Sequence, residues 1–236
     1  MIVIQRKKFG LPFTECFFLD DARSSLEQSL IGIIFHVQLK KKPFFGFFKK
    51  TKTVLMDLSM NVDDIYKAFK PNLRNEINKS SKFDGFKFDW IDQPNEFELQ
   101  EFKTNYDIFA NKMNISRANN QVLANLKSKG ALVLSRTVNQ DQVLCRHALV
   151  SDGYRLRLLY SCSNHRLVDG SQKNLISRAN KSLHWFEIVT AKNNGFFEYD
   201  FGGLSNNGKT QNIDRFKKSF GGIEVNEYTG ITIGFN

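Results

Sequence analysis

Between residues 131 and 162 the chain reads as three extended segments, 131–138, 142–150 and 154–162, separated only by Asn139-Gln140-Asp141 and Ser151-Asp152-Gly153. Both separators are compact turn sequences, so each segment must fold back beside the one before it as an antiparallel meander. A polar loop from Ser163 to Gly170 then opens a helix over 171–192, on which Leu175, Ile176, Ala179, Leu183 and Phe186 form one apolar stripe. A meander with a one-sided helix behind it is an α+β arrangement, a mostly antiparallel sheet flanked by helices.

The rest of the chain supplies more of the same. From Asn61, an N-cap residue, Val62, Ile65, Phe69, Leu73 and Ile77 recur at helical spacing, with a break or kink expected at Pro71. Arg74 and Asn78 share one edge of that helix. Phe86, Phe88 and Trp90 alternate with polar residues in a strand over 83–91, and Asn95 with Glu98 forms a capping box for a helix carrying Phe97, Phe102, Tyr106, Phe109 and Met113. A helix over 120–129 stops at Gly130. A strand over 196–201, a short helix over 213–220 and one or two closing strands over 224–235 complete the pattern. No repeat of 20 to 50 residues is present.

Residues 1–60 read as short extended pieces, notably 29–39 and 53–58. They are joined by a segment that begins Lys-Lys-Lys-Pro-Phe-Phe-Gly-Phe-Phe-Lys-Lys. The expectation here is a hairpin turned by Pro43 and Gly46 with its phenylalanines packed inward; the other reading is a patch that meets lipid headgroups or nucleic acid.

Charge and cysteine content narrow the setting. Lys and Arg number 34 against 24 Asp and Glu, a net charge of +10 that attracts phosphate-bearing partners without choosing among them. No apolar run approaches the roughly 20 residues of a membrane span, and Arg6, Lys7 and Lys8 follow the first apolar stretch, the reverse of a signal peptide. Cys16, Cys145 and Cys162 form no CxxC pair, so packing of reduced thiols in a cytoplasmic protein is expected. Four histidines, His36, His147, His165 and His184, have no metal-ligand spacing, and no metal is expected.

A set of motifs then points to a family. Leu73-Arg74-Asn75-Glu76-Ile77, Leu158-Leu159-Tyr160-Ser161, Arg178-Ala179-Asn180 with Leu183-His184-Trp185, Tyr199-Asp200-Phe201-Gly202-Gly203, and Phe216-Lys217-Lys218-Ser219-Phe220-Gly221-Gly222 together resemble the FemAB-like branch of the GNAT acyltransferase superfamily, over about residues 53–230. The resemblance implies a GNAT-like fold with an abbreviated first half over 1–118 and an acyltransferase core over 119–236. It also implies transfer of an acyl group from an acyl thioester, with acyl-CoA as cosubstrate and no tightly bound cofactor, to an amino group of a sugar or peptide precursor of the cell envelope or a surface polysaccharide. An aminoacyl-tRNA donor and a noncatalytic basic module binding nucleic acid or an anionic membrane are the alternatives.

Acyl transfer needs a positioned carbonyl, an exit for the amine's proton and donors for the oxyanion. Asp200, before the double glycine, is the leading proton acceptor if burial raises its pKa, with a structural ion pair to Arg178 or Arg74 as the other reading. Tyr160 is a candidate for protonating the leaving thiolate, or else packs. His147 is a candidate base, or else a satisfied core residue. The resemblance places the donor's pyrophosphate at Arg166, Gly170, Ser171, Gln172 and Lys173, where a strand gives way to the long helix, with an ordinary helix cap at Ser171 beside solvated charges as the other reading. Arg74, Arg178, Trp185 and Lys217 are expected to hold substrate. Arg178 and Trp185 share one edge of the helix while Asn180 and His184 point away from it, so His184 is expected at the surface or in a supporting layer.

Overall fold

The structure is a computed structural model that describes residues 1–8, 10–20, 32–163, 168, 170–204 and 211–234. Its strands are β1 (Ile2–Lys8), β2 (Leu11–Phe17), β3 (Gly32–Leu39), β4 (Phe47–Asp57), β5 (Lys87–Asp92), β6 (Leu132–Asn139), β7 (Gln142–Ser151), β8 (Arg155–Ser163), β9 (Glu198–Leu204) and β10 (Ile223–Gly234). Its helices are α1 (Val62–Ala68), α2 (Pro71–Phe83), α3 (Glu96–Met113), α4 (Asn120–Ser128), α5 (Gly170–Asn193) and α6 (Gln211–Lys218).

The expected meander is present as β6 to β8, with β5 added antiparallel on the edge of β6, and the strands form one ten-stranded sheet in the order β1-β2-β3-β10-β4-β9-β8-β7-β6-β5. Neighbours are antiparallel except β2 with β3 and β8 with β9. The boundary expected near residue 118 falls between α3 and α4, and the sheet runs on without a break. The hairpin expected across the Lys-Phe segment is not formed: β3 and β4 each pair with β10, which lies between them. Nor do all its phenylalanines pack inward, because Phe44 and Phe47 are 99% and 81% exposed.

Local chemistry sets the helix ends. Asn61 accepts from Asp64 N, and the helical periodicity is split at Phe69, with Pro71 opening α2 where its missing N–H costs nothing. Asn95 and Glu98 make the capping box at the head of α3. Strand alternation then sorts the core into two layers. Leu132 and Leu134 pack with Phe102, Tyr106, Leu123 and Leu126 under α3 and α4, whereas Val133 packs on the other face with Leu149, Ile188 and Tyr199 under α5.

The glycines of the Phe-Gly-Gly motif have a packing reason. Gly221 has φ +77°, and a Cβ there would stand 2.2 Å from the Ala68 carbonyl oxygen at the end of α1. Gly221→Ala should therefore lower stability by about 2 kcal/mol or more, read as a fall in the urea midpoint with an unchanged slope. No helix among the described residues is long and apolar enough to cross a membrane.

Candidate functional site

The parallel pair β8 and β9 is joined only at Arg155 to Arg157 against Glu198 to Asp200. Beyond that point β8 pairs with β7 and β9 with β4, leaving a wedge in the middle of the sheet. A cleft of about 560 Å³ opens there. Leu158, Ser161 and Ser163 of β8, Ser177, Asn180 and His184 of α5, and Lys217 of α6 line it. Phe109, Met113, Ile115, Ile213 and Phe216 form an apolar wall.

At its floor is a buried hydrogen-bond chain. Glu187, fully buried, accepts from His147 Nδ1 at 2.7 Å and from the Ser135 hydroxyl on Oε1, and from the Tyr199 hydroxyl at 2.5 Å on Oε2. Because Tyr199 gives its proton to Glu187, its oxygen is left to accept, and His184 Nδ1 lies 2.7 Å from it. The network therefore assigns the proton of His184 to Nδ1 and a lone pair to Nε2. His147 Nε2 meets Asn180 Oδ1 at 3.0 Å, so the chain returns to the cleft at a second point. Burial, then the neighbouring His147, lowers the His184 pKa to about 4, and rings of Phe201, Phe216 and Phe220 stand 5.3 to 5.5 Å from it. Glu187 is held ionised, well below the usual carboxylate range, because contact with His147 and His184 outweighs the opposing effect of burial. His147, His184 and Glu187 place one donor atom each within 4.8 Å of one another, a set with the chemistry of a metal site.

Lys217 supplies the charge. Its ammonium donates to the Gly203 carbonyl at 2.6 Å, and burial together with Arg157 lowers its pKa to about 8. Protonated at neutral pH and poorly hydrated, it is a cation facing the cleft.

The other sequence candidates sit elsewhere. Asp200 is fully buried and outside the cleft lining. Its carboxylate receives Arg155 at 2.6 Å, Gln38 Nε2 at 3.0 Å, Gly202 N at 2.8 Å and the Thr53 hydroxyl, with Arg157 at 3.3 Å. Burial alone would raise its pKa, but the two arginines prevail and lower it, the opposite of what a base requires. The ion-pair reading is the one observed, with Arg155 and Arg157 in place of Arg178 or Arg74. Tyr160 faces α3 because a bulge between Ala148 and Leu149 shifts the register of β8; its ring lies 4.8 Å from Tyr106 and its hydroxyl accepts from Asn119 N. Its neighbour Ser161 takes the place at the cleft.

Arg178 makes a two-pronged pair with Asp84 at the end of α2, at 2.6 and 2.8 Å. Trp185 packs on Tyr66 and Phe69, and Arg74 reaches the Lys67 carbonyl at 3.4 Å. The edge of α5 that carries Arg178 and Trp185 thus meets α1 and α2, and the expectation for His184 is corrected: it lines the cleft that Arg178 does not. Gly170, Ser171, Gln172 and Lys173 form the exposed first turn of α5, whose later residues Ser177 and Asn180 border the cleft. Arg166 lies outside the described residues. Glu187, Tyr199, Asn180 and Ser161 are site residues beyond those expected, and Ser177, Asn180, His184 and Glu187 form a polar row at three- and four-residue spacing on α5.

No family model and no curated protein matches the sequence. Among solved structures, FemX is similar with a TM-score of 0.66 at 14% identity, covering 98% of this chain and 83% of that one. The C-terminal domain of a lysylphosphatidylglycerol synthetase from Agrobacterium fabrum gives 0.58 at 12% identity over 97% of this chain and 80% of that one. A lysylphosphatidylglycerol synthetase from Bacillus licheniformis gives 0.53 at 13% identity over 83% and 67%. The chain has an α+β fold similar to that of FemX.

Proposed function

We propose that this chain is an acyltransferase that moves an acyl group from an activated ester to an amine held in the wedge between β8 and β9. The observation that carries this reading is the chain from Glu187 through Tyr199 to His184, which turns an imidazole lone pair toward a cleft that also holds the half-buried ammonium of Lys217. His184 Nε2, uncharged at neutral pH, would accept a hydrogen bond from the attacking neutral amine and aim the amine's lone pair at the carbonyl, with Tyr199 and Glu187 fixing the ring's tautomer and orientation. Lys217 would stabilise the oxyanion as the carbonyl becomes tetrahedral. Collapse of that oxyanion expels the leaving group, which takes up the proton.

For the donor we favour an acyl thioester, acyl-CoA, because Phe109, Met113, Ile115, Ile213 and Phe216 offer an apolar wall to an acyl or pantetheine arm. The acceptor would be an amino group on a sugar or peptide precursor of the cell envelope or surface polysaccharide. A second donor, an aminoacyl ester of tRNA, is supported by the fold likeness to FemX and by the net charge of +10. Isothermal titration with CoA, several acyl-CoAs and aminoacyl-tRNA separates the two. Heat from an acyl-CoA, weakened only modestly by salt, is the expected result. Binding of aminoacyl-tRNA alone, falling steeply with salt, would replace the donor, and binding of neither would remove the proposal.

A further inference from the structure

We infer that the loop 40–46 and the start of β4 dock on the surface of an anionic lipid bilayer. Phe44 is 99% exposed at the tip, Phe45 is partly exposed beside it and Phe47 is 81% exposed as β4 begins. Phe47 pairs directly with Ile231 of β10, and Ile233 is two residues further on, so these three side chains stand on one face of the sheet. Ile231 and Ile233 are exposed as well. This outward placement is ordered by the strand's alternation. Phe48, the next residue, turns inward, with its ring 5.6 Å from His36.

Cations surround the apolar tip. The sequence has no acidic residue from Gln28 through Met56, while Lys40, Lys41, Lys42, Lys49, Lys50 and Lys52 all fall in that span. Lys40 pairs with Asp20 and Lys52 with Glu224. Among the described residues Lys41, Lys42, Lys49 and Lys50 enter no ion pair, and all four are exposed. An exposed apolar tip with two unpaired, exposed lysines before it in the chain and two after it matches a bilayer interface, where rings enter the acyl boundary and lysines meet lipid phosphates. Nucleic acid would use the same lysines but gains nothing from Ile231 and Ile233, which offer a base no aromatic face.

The inference does not depend on the proposed reaction and is tested apart from it. Full-length protein is floated with vesicles of phosphatidylcholine alone or of an equal mixture of phosphatidylcholine and phosphatidylglycerol, at low and high salt. Binding to the mixed vesicles only, weakened by salt, is expected. Phe44→Ser with Phe47→Ser should weaken it at least about tenfold, and Lys41→Gln with Lys42→Gln by about tenfold with a flatter salt dependence. Both pairs are exposed, so circular dichroism and the unfolding midpoint should be unchanged. No binding to mixed vesicles, binding indifferent to the two phenylalanines, or variants that lose single-stranded RNA while keeping vesicles would overturn the inference.

Discussion

Replacing Lys217 by methionine is expected to lower kcat/KM by about 100-fold or more, the usual loss when one preorganised donor to a developing oxyanion is removed. The fold should tolerate the change, because the ammonium's described protein partner is the Gly203 carbonyl and its stem lies along the cleft. The pH profile separates its role as a cation from that of a base. A lysine whose pKa is lowered to about 8 is charged below that pH and neutral above it. Activity that needs the charge must therefore decline as pH rises through about 8. Lys217→Arg keeps the charge to far higher pH, so it should retain part of the rate and lose the alkaline decline. A rate that instead climbs through pH 8 in the parent protein would mean that the neutral amine acts, and the assignment would fall.

The second large effect is on stability. Asp200→Asn removes the counter-ion of buried Arg157 and one of those of Arg155, which keeps Glu227 at 2.6 Å, and breaking a buried pair in this way costs about 3 to 5 kcal/mol. The measurement is chemical denaturation of the variant against the parent protein. An unchanged midpoint accompanied by a collapse in turnover would return Asp200 to the reaction. Linkage gives a second check: the Asp200 pKa is lowered in the folded state, so its contribution is present above the unfolded value of about 3.9 and disappears as pH falls through the folded one. The parent should lose stability in acid by more than the asparagine variant does.

The contrast between these two residues shows what was legible in the sequence. Helix and strand identity followed from local periodicity, and the break before Pro71, the capping box at Asn95 and the meander all formed where they were expected. Lys217, which stands in the Phe-Lys-Lys-Ser-Phe-Gly-Gly motif, lines the cleft. Pairings between distant segments leave no such local mark. Arg157 and Asp200 are partners across a parallel pair of strands, and only the register of β8 against β9 brings them together. An Arg-Leu-Arg stretch in a strand with the leucine fully buried hints at a buried carboxylate without naming it. Tyr160 and Ser161 exchange sides through a bulge at Leu159 of β8, and helical angle separates the two faces of α5. Which face looks into the wedge is decided by the docking of α1 and α2, information that the sequence of α5 does not contain.

The place of β10 bears on how the chain comes together during synthesis. This strand is translated after β3 and β4, yet it supplies the hydrogen-bonding partner of both. Until it emerges from the ribosome, each of those strands carries a row of unanswered amides and carbonyls along one side, the kind of edge on which nascent chains stick to one another. Completion of the sheet is thus a late, long-range closure, and truncation upstream of Ile223 should release an aggregating species.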